Sequence, residues 1–360
     1  MKKILLTGGG TAGHAWPVVV IGNILKKNAR VSILYVGGRQ GIEKDLAFNN
    51  ELPYKGVFVG KRRNYLSFSN IIDVFKICLG LIQVYFLFKS FKPDIVFAKG
   101  GYVTLPVVYW AGKMKIPLII HESDVVMGKA NIYASKHAAK ICINFPLDIF
   151  QKHNPELRVE LDKFIYTGLP LRSEFFVGGD FGQSKPSILI TGGSQGSSKI
   201  NMAILGILPE LVKKYAVYHI SGVRDFAELK KFENVNYHLM SFADEIADIM
   251  KKSDLIVTRS GANTLAEISA LEKCAILVPL ESAAKDHQNA NAKIYEGKNA
   301  AVLISEKNLT GGSLLSIINR LMEDEKLRQL IGHHAGEFKK EDSAAQIVEL
   351  LFKDYQYKER

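Results

Sequence analysis

Cysteine is scarce in this chain. There are three in 360 residues, Cys78, Cys142 and Cys274, each in an apolar run and none in a Cys-x-x-Cys spacing. That counts against a disulfide framework and a thiolate zinc site, and it predicts buried free thiols in a reducing compartment. Acidic residues are outnumbered, 36 against 47 Lys and Arg, for a net charge of +11. A surplus of that sign favours an anionic partner: a nucleotide, a pyrophosphate, an acidic membrane or a nucleic acid. Nucleic acid is set aside, because no basic stripe interleaved with exposed aromatics is present outside one apolar helix discussed below. The apolar run of MKKILLTGGG is too short for a secretory signal, and glycines follow at once, so it reads as a first strand. No low-complexity segment interrupts the chain.

At this length two domains are expected, and 47% hydrophobic with 23% charged residues is ordinary for globular chains. A strand, Lys3–Thr7, runs into Gly8-Gly9-Gly10-Thr11-Ala12-Gly13-His14. A glycine loop between strand and helix lets backbone approach a charged group closely. No Gly-Lys-Ser/Thr follows it, which excludes a Walker A loop, and no acidic residue ends the second strand, Val31–Val36, which counts against NAD. Further strands are expected at Tyr54–Val59, Ile95–Ala98, Pro117–Ile120 and Lys140–Ile143. Near Phe164–Arg172 a Gly-x-Pro segment reads as a hinge, and Val177–Ser184 as a loose loop. The plan then restarts: strand Ser187–Thr191, loop Gly192-Gly193-Ser194-Gln195-Gly196-Ser197, helix. Strands follow at Ala216–Ile220, Val235–Leu239, Leu255–Thr258, Ala275–Val278 and Ala301–Ile304, and Leu309–Lys353 reads as helical. Alternation of this kind means parallel sheets covered on both faces, with ligands at the carboxyl ends of the strands.

The densest chemistry lies in Thr258–Ala292. A strand ends at Thr258, and Arg259-Ser260-Gly261 turn into a helix whose first turn carries Ala262, Asn263 and Thr264. Free amides and the positive end of the helix dipole suit a phosphate there. Glu267, one turn in, can accept two hydrogen bonds from a sugar diol. After the next strand comes Lys285-Asp286-His287-Gln288-Asn289, whose amides both donate and accept and so suit hydroxyls. A capped βα unit with a solvated glutamate is the bland alternative for each residue singly. Phosphate, diol and hydroxyl readers on two successive strand ends read together as a nucleotide-sugar site.

Ile71–Phe88, IIDVFKICLGLIQVYFLF, is apolar nearly all round, flanked by Lys61-Arg62-Arg63, Lys89 and Lys92. Its length approaches a bilayer span, yet Asp73 and Lys76 inside it, and its place in a βα series, argue against spanning. A basic, aromatic-rich apolar face suits lying on an anionic membrane, with Trp110, Lys113 and Lys115 extending the patch. A core helix packed on the sheet is the competing reading. His121, Glu122 and Asp124 sit too close together on an extended segment to form a metal site and instead read as cleft lining.

Taken in order, GGGTAGH, GGY after Lys99, HES-Asp124, G-x-P-x-Arg172, GGSQG and the SGANTLAE–DHQNANA block resemble the MurG family of glycosyltransferases over essentially the whole chain. Ala12, Asp124 and Leu169 depart from the residues that family more often carries. The resemblance implies an α/β architecture of the GT-B type, with two Rossmann-like doubly wound parallel-sheet domains facing a central cleft. It implies an acceptor and membrane-associated domain at 1–165, a UDP-GlcNAc-binding domain at 166–335, and a C-terminal helix, 336–360, crossing back to the first domain. It further implies inverting β-1,4 transfer of GlcNAc from UDP-GlcNAc to lipid I by a peripheral enzyme at the cytoplasmic face of the membrane. Donor contacts carry over to Gly10, Thr11, Ala12, Gly13, Asp124, Arg172, Ser194, Gln195, Ala243 (backbone to the uracil), Gly261–Thr264, Glu267, Gln288 and Asn289. Acceptor contacts carry over to Gly9, Thr11, His14 and Tyr102.

No Asp-x-Asp pair occurs in the sequence, so no metal is expected to hold the leaving diphosphate. Helix N-termini, the Gly192–Gly196 amides, the Ser260–Thr264 turn and Arg172 are then its candidate partners. The base that deprotonates the acceptor hydroxyl is expected to be His14 or, second, Glu122, and His14 can alternatively bind the acceptor pyrophosphate. Three rival readings share the donor domain: transfer to another lipid such as diacylglycerol, a UDP-GlcNAc 2-epimerase, and a non-catalytic binding subunit.

Overall fold

The computed structural model describes residues 1–60, 68–177, 185–193, 195–243, 245–282 and 286–355, with backbone alone over 68–74. Ser194, the Lys61-Arg62-Arg63 run, Asp73, Lys285 and most of the Val177–Ser184 segment therefore lie outside the described residues or side chains. The chain divides into two compact units, Met1–Arg172 together with the chain from Asp342, and Ser173–Glu341.

In the first unit strands and helices alternate: β1 (Lys2–Thr7), α1 (Ala12–Lys26), β2 (Val31–Gly38), α2 (Ile42–Asn49), β3 (Tyr54–Val57), α3 (Phe68–Phe91), β4 (Ile95–Ala98), α4 (Leu105–Lys113), β5 (Leu118–Glu122), α5 (Lys129–Ser135), β6 (Lys140–Ile143), α6 (Leu147–His153) and β7 (Phe164–Tyr166). The sheet order is β3-β2-β1-β4-β5-β6-β7, with every pairing parallel. The strands are apolar runs because both faces are covered. Successive side chains alternate between two cores. Leu5, Val96 and Ile120 pack with Val84, Phe88 and Val107 of α3 and α4. Ile4, Leu6, Phe97 and Ile119 pack with Val18 and Ile21 of α1. The order reverses between β1 and β4, so the loops leaving those two strands open a crevice at the strand ends.

The second unit repeats the plan: β8 (Ser187–Thr191), α7 (Ser198–Leu205), α8 (Leu208–Lys214), β9 (Ala216–Ile220), α9 (Val223–Leu229), β10 (Tyr237–Met240), α10 (Ile246–Lys252), β11 (Leu255–Thr258), α11 (Ala262–Ala270), β12 (Ala275–Leu277), α12 (His287–Gly297), β13 (Val302–Leu303), α13 (Gly311–Glu323) and α14 (Glu325–Gly336). Its parallel order is β10-β9-β8-β11-β12-β13, reversing between β8 and β11. The last helix, α15 (Ser343–Phe352), belongs to the first unit, where Ile347, Leu350 and Leu351 join the α1 core.

On α3, Gly80 lies so close to the β3 side that an added Cβ would stand 2.1 Å from the Phe58 carbonyl oxygen. Val84, Leu87 and Phe88 are buried beneath the helix, while Phe75, Leu79, Ile82 and Phe86 stay exposed at 68%, 46%, 54% and 64%. Their spacing sets those four on one stripe. Cys78 lies on the outward side as well, which corrects the expectation of three buried thiols; only Cys142 and Cys274 are buried. Trp110 turns inward, donating its indole N–H to the Leu81 carbonyl at 2.7 Å and packing on Tyr85, so it does not extend the exposed patch. Among the described residues no helix is long and apolar enough to cross a membrane.

Candidate active site

In the first unit two glycine turns interlock. Gly10 has φ +84° and Gly101 φ +85°, conformations L side chains rarely adopt. An added Cβ would stand 2.7 Å from the Tyr102 ring at Gly10, and 2.3 Å from the Gly9 carbonyl oxygen at Gly101. Tyr102 therefore roofs Gly10, and the two turns fit only because neither carries a side chain. A residue the sequence reading passed over fixes this arrangement. Buried Glu43, on α2, accepts hydrogen bonds from the Gly10 and Gly38 N–H groups, each at 3.1 Å. Its one sequence signal was an acidic residue in the first turn of a helix behind a glycine.

Thr11 is the extended N-cap of α1, but its hydroxyl does not cap the helix; it meets His14 Nδ1 at 2.8 Å. With no acidic residue in that first turn, Ala12 and Gly13 begin a helix whose amide end meets no neutralising carboxylate of its own. His14 is half-buried one turn in, against the Gly101 turn.

The polar segment ending β5 takes a different role from the one expected. Glu122 is 5% exposed, and its oxygens accept from Ser123 N–H (2.8 Å), Asp124 N–H (3.1 Å), Gly128 N–H (2.9 Å) and Asn131 Nδ2 (2.9 Å). Burial raises its pKa, aided by Asp124 and opposed by Lys99 and by the Gly128 and Asn131 donors. A carboxylate so engaged holds the 123–128 loop in place and is not free to take a substrate proton, so Glu122 is withdrawn as a candidate base. His121 is fully buried and donates Nε2–H to the Gly168 carbonyl at 2.8 Å; burial, then the Lys99 charge, keep it neutral. Lys99, 1% exposed, hydrogen-bonds the Ser123 hydroxyl, and burial lowers its pKa to about 8 against the pull of Glu122 and Asp124. Half-buried Asp124 follows on the same loop, and the Arg172 guanidinium lies 4.6 Å over the Trp16 ring of α1.

In the second unit the loop after β8 is tightly self-bonded. Gly193 N–H reaches Thr191 Oγ1 at 3.2 Å and Gly196 N–H reaches the Gly193 carbonyl at 3.0 Å. Those two amides are therefore not the phosphate donors the sequence suggested, whereas Gln195 is exposed. Ser197, the N-cap of α7, also meets Arg259 at 2.6 Å. Arg259, 8% exposed, is the brace of this unit: it also donates to the Val278 and Pro279 carbonyls at 3.0 and 3.1 Å and pairs with Glu306, which holds Lys199 at 2.8 Å. The sequence reading saw Arg259 only as a turn residue and gave Glu306 no role, because their pairing across 47 positions leaves no local pattern.

Beside the brace, α11 opens at Gly261 without a side-chain cap, so the first-turn amides of Ala262, Asn263 and Thr264 face the strand ends. Glu267 is half-buried one turn in. Ser260 Oγ donates to the Gln288 carbonyl at 2.8 Å, and the Gln288 side-chain oxygen accepts Leu280 N–H at 3.0 Å, leaving its NH2 to donate elsewhere. Asn289 donates to Asp286 at 3.0 Å. Ala243 is half-buried after β10, beside Phe242, which is 55% exposed. Among the described residues no cluster of three or more His, Cys, Asp or Glu is placed to hold a metal ion.

Comparison with known proteins places these features in context. Residues 4–143 match the glycosyltransferase family 28 N-terminal domain and residues 187–347 the family 28 C-terminal domain. The chain is 37% identical over 360 residues to a protein of Lachnospira eligens named UDP-N-acetylglucosamine–N-acetylmuramyl-(pentapeptide) pyrophosphoryl-undecaprenol N-acetylglucosamine transferase, covering 98% of this chain and 99% of that one. A Clostridium botulinum protein of the same name is 35% identical, with the same coverage. In fold, the chain is similar to the crystal structure of Acinetobacter baumannii MurG, with a TM-score of 0.75 at 24% identity over 98% and 99% of the two chains. It is also similar to a Neisseria meningitidis UDP-GlcNAc 2-epimerase bound to UDP-GlcNAc, at 0.68 and 16% over 98% and 100%.

Proposed function

This chain belongs to the MurG family within glycosyltransferase family 28, and from that premise we propose how its residues move GlcNAc from UDP-GlcNAc to the muramoyl C4 hydroxyl of lipid I, forming a β-1,4 bond with inversion. The observation that carries the division of labour is that each compact unit has its own strand-end crevice of a different kind. The second offers uncapped helix amides and a diol acceptor. The first offers a hydroxyl-linked histidine on a glycine turn.

On the donor side the α11 amides of Ala262, Asn263 and Thr264, with Gln195, bind the diphosphate and stabilise the charge that builds on it as the sugar departs. Each well-placed donor contributes roughly 3–4 kcal/mol to lowering the barrier. Glu267 accepts from the ribose diol, the Ala243 backbone meets the uracil, and the Gln288 NH2, with Asn289, reads sugar hydroxyls. Ser194 joins the diphosphate by its place in the loop, and Arg172 and Asp124 are assigned to the donor by the family resemblance alone. The reaction needs no metal, because amides and helix dipoles supply the positive charge that a divalent ion supplies elsewhere.

On the acceptor side His14 is the base. For that role the ring carries its proton on Nδ1, directed at Thr11 Oγ1 2.8 Å away, and Nε2 takes the proton of the attacking hydroxyl. Gly9, Thr11 and Tyr102 shape the turn around the acceptor, and Gly10, Ala12 and Gly13 keep the donor contacts that the family resemblance gives them. The surplus of positive charge and the exposed Phe75–Phe86 stripe hold the protein peripherally on the anionic cytoplasmic face of the membrane.

Offering the enzyme UDP-GlcNAc with a prenyl-pyrophosphoryl-muramoyl-pentapeptide and diacylglycerol together, and identifying products by mass spectrometry, tests the assignment. GlcNAc is expected on the muramoyl acceptor alone. GlcNAc on diacylglycerol, or epimerised sugar released without acceptor, would overturn it.

A further inference from the structure

A slot of about 260 Å³ lies in the first unit between α3 and α4. Ile77 and Leu81 form one wall and Leu105 and Tyr109 the other, each pair four residues apart on its helix. Tyr133 and Tyr102 line it as well, and none of its lining residues carries a charge. The mechanism above uses Tyr102 alone among them. Resting on the transferase reading, we infer that this slot binds the first isoprene units of the acceptor's polyprenyl chain, next to the pyrophosphate.

Three observations support that occupant. The first is chemical: amides or carboxylates of the acceptor's peptide would be stripped of water here without partners, a cost a branched hydrocarbon does not meet. The second is size, since the volume falls below the roughly 300–1,000 Å³ of sites that enclose a whole drug-sized ligand, which suits one end of a long chain. The third is order in space. Tyr102 both roofs Gly10 and lines the slot, so the slot begins beside the turn that carries Gly9 and His14. Glycine turn, Tyr102 and slot follow the acceptor's own sequence of sugar pyrophosphate and proximal chain. The enzyme thereby recognises the chain itself, apart from its attachment to the membrane.

The test uses muramoyl-pentapeptide pyrophosphates bearing one, two or three isoprene units, assayed without vesicles or detergent. In wild type, kcat/KM is expected to rise at least about tenfold from one unit to three, the order that burial of a few additional carbons produces. Leu105→Trp, at a position 37% exposed and so tolerant of bulk, fills the slot. It should flatten the rise while leaving the UDP-GlcNAc KM and binding to anionic phospholipid vesicles unchanged. Phe75→Ser with Phe86→Ser should do the reverse, weakening vesicle binding but keeping the rise. A flat wild-type series, a rise that survives Leu105→Trp, or a rise lost only in the Phe75/Phe86 variant would each overturn the slot. Absence of transfer to all three acceptors would overturn the transferase reading itself.

Discussion

Replacing Arg259 by methionine should unfasten the donor half of the enzyme. The guanidinium joins the N-cap of α7, the end of β12 and the buried Glu306, so Arg259→Met would strand two carbonyls, a hydroxyl and part of a carboxylate. Breaking one side of a buried charge pair costs about 3–5 kcal/mol. Glu306→Gln keeps the shape and removes one charge, and should cost less, about 1–3 kcal/mol. Lys199, more than half exposed, loses only a surface partner. Because the two side chains act as one unit, Arg259→Met with Glu306→Leu should cost less than the two single losses together, by about 1–3 kcal/mol. Denaturant unfolding followed by circular dichroism measures the cycle. The brace is none of the proposed substrate contacts, so its expected kinetic signature is a rise of about tenfold in the UDP-GlcNAc KM, equivalent to ~1.4 kcal/mol of misplaced donor loop, with a smaller change in kcat. Additive stabilities with an unchanged donor KM would refute the claim that Arg259 organises the donor crevice.

Two further outcomes follow from buried groups and tight turns. His219 is enclosed by Tyr237 and Asn201 at 2.8 and 2.9 Å, and burial lowers its pKa from 6.5 to about 4, against the pull of Asp225. The unfolded chain therefore takes up this proton first, so stability is complete above about pH 6.5 and falls by about 3 kcal/mol as pH drops to about 4. Urea titrations at pH 7 and 4.5 should show that loss shrinking in His219→Gln, and an equal loss in both proteins would refute it. Gly101→Ala places a Cβ 2.3 Å from the Gly9 carbonyl oxygen at φ +85°, which costs about 1–3 kcal/mol. It should lower acceptor kcat/KM at least tenfold while calorimetric UDP-GlcNAc binding stays intact, and parallel losses in both would argue against separate crevices.

The architecture was legible because parallel strands covered on both faces must be apolar throughout, and IVFA, LIIHE and SILIT announce themselves as such. The glycine turns were legible too, since Gly10 and Gly101 occupy backbone conformations open to few other residues. Hydrogen-bond partners between distant segments were not. Nothing near Glu43 in the chain shows that it grips Gly10, and nothing near Glu306 shows that it pairs with Arg259. Glu122 misled for a related reason: a carboxylate at a strand end looks the same in sequence whether it faces substrate or closes its own loop. The last helix was placed by resemblance alone, because its apolar face, Ile347, Leu350 and Leu351, carries no mark of which sheet it covers.

The most direct measurement is transfer of radiolabelled GlcNAc from UDP-GlcNAc to a short-chain lipid I analogue in EDTA, comparing wild type, Glu267→Ala and His14→Ala. Transfer should survive the chelator. Glu267→Ala should raise the donor KM by about tenfold or more, as expected for a lost diol contact, and His14→Ala should lower kcat by about 10²–10⁴ with the donor KM little changed. Transfer abolished by EDTA and restored by a divalent ion, or full kcat in His14→Ala, would contradict the account.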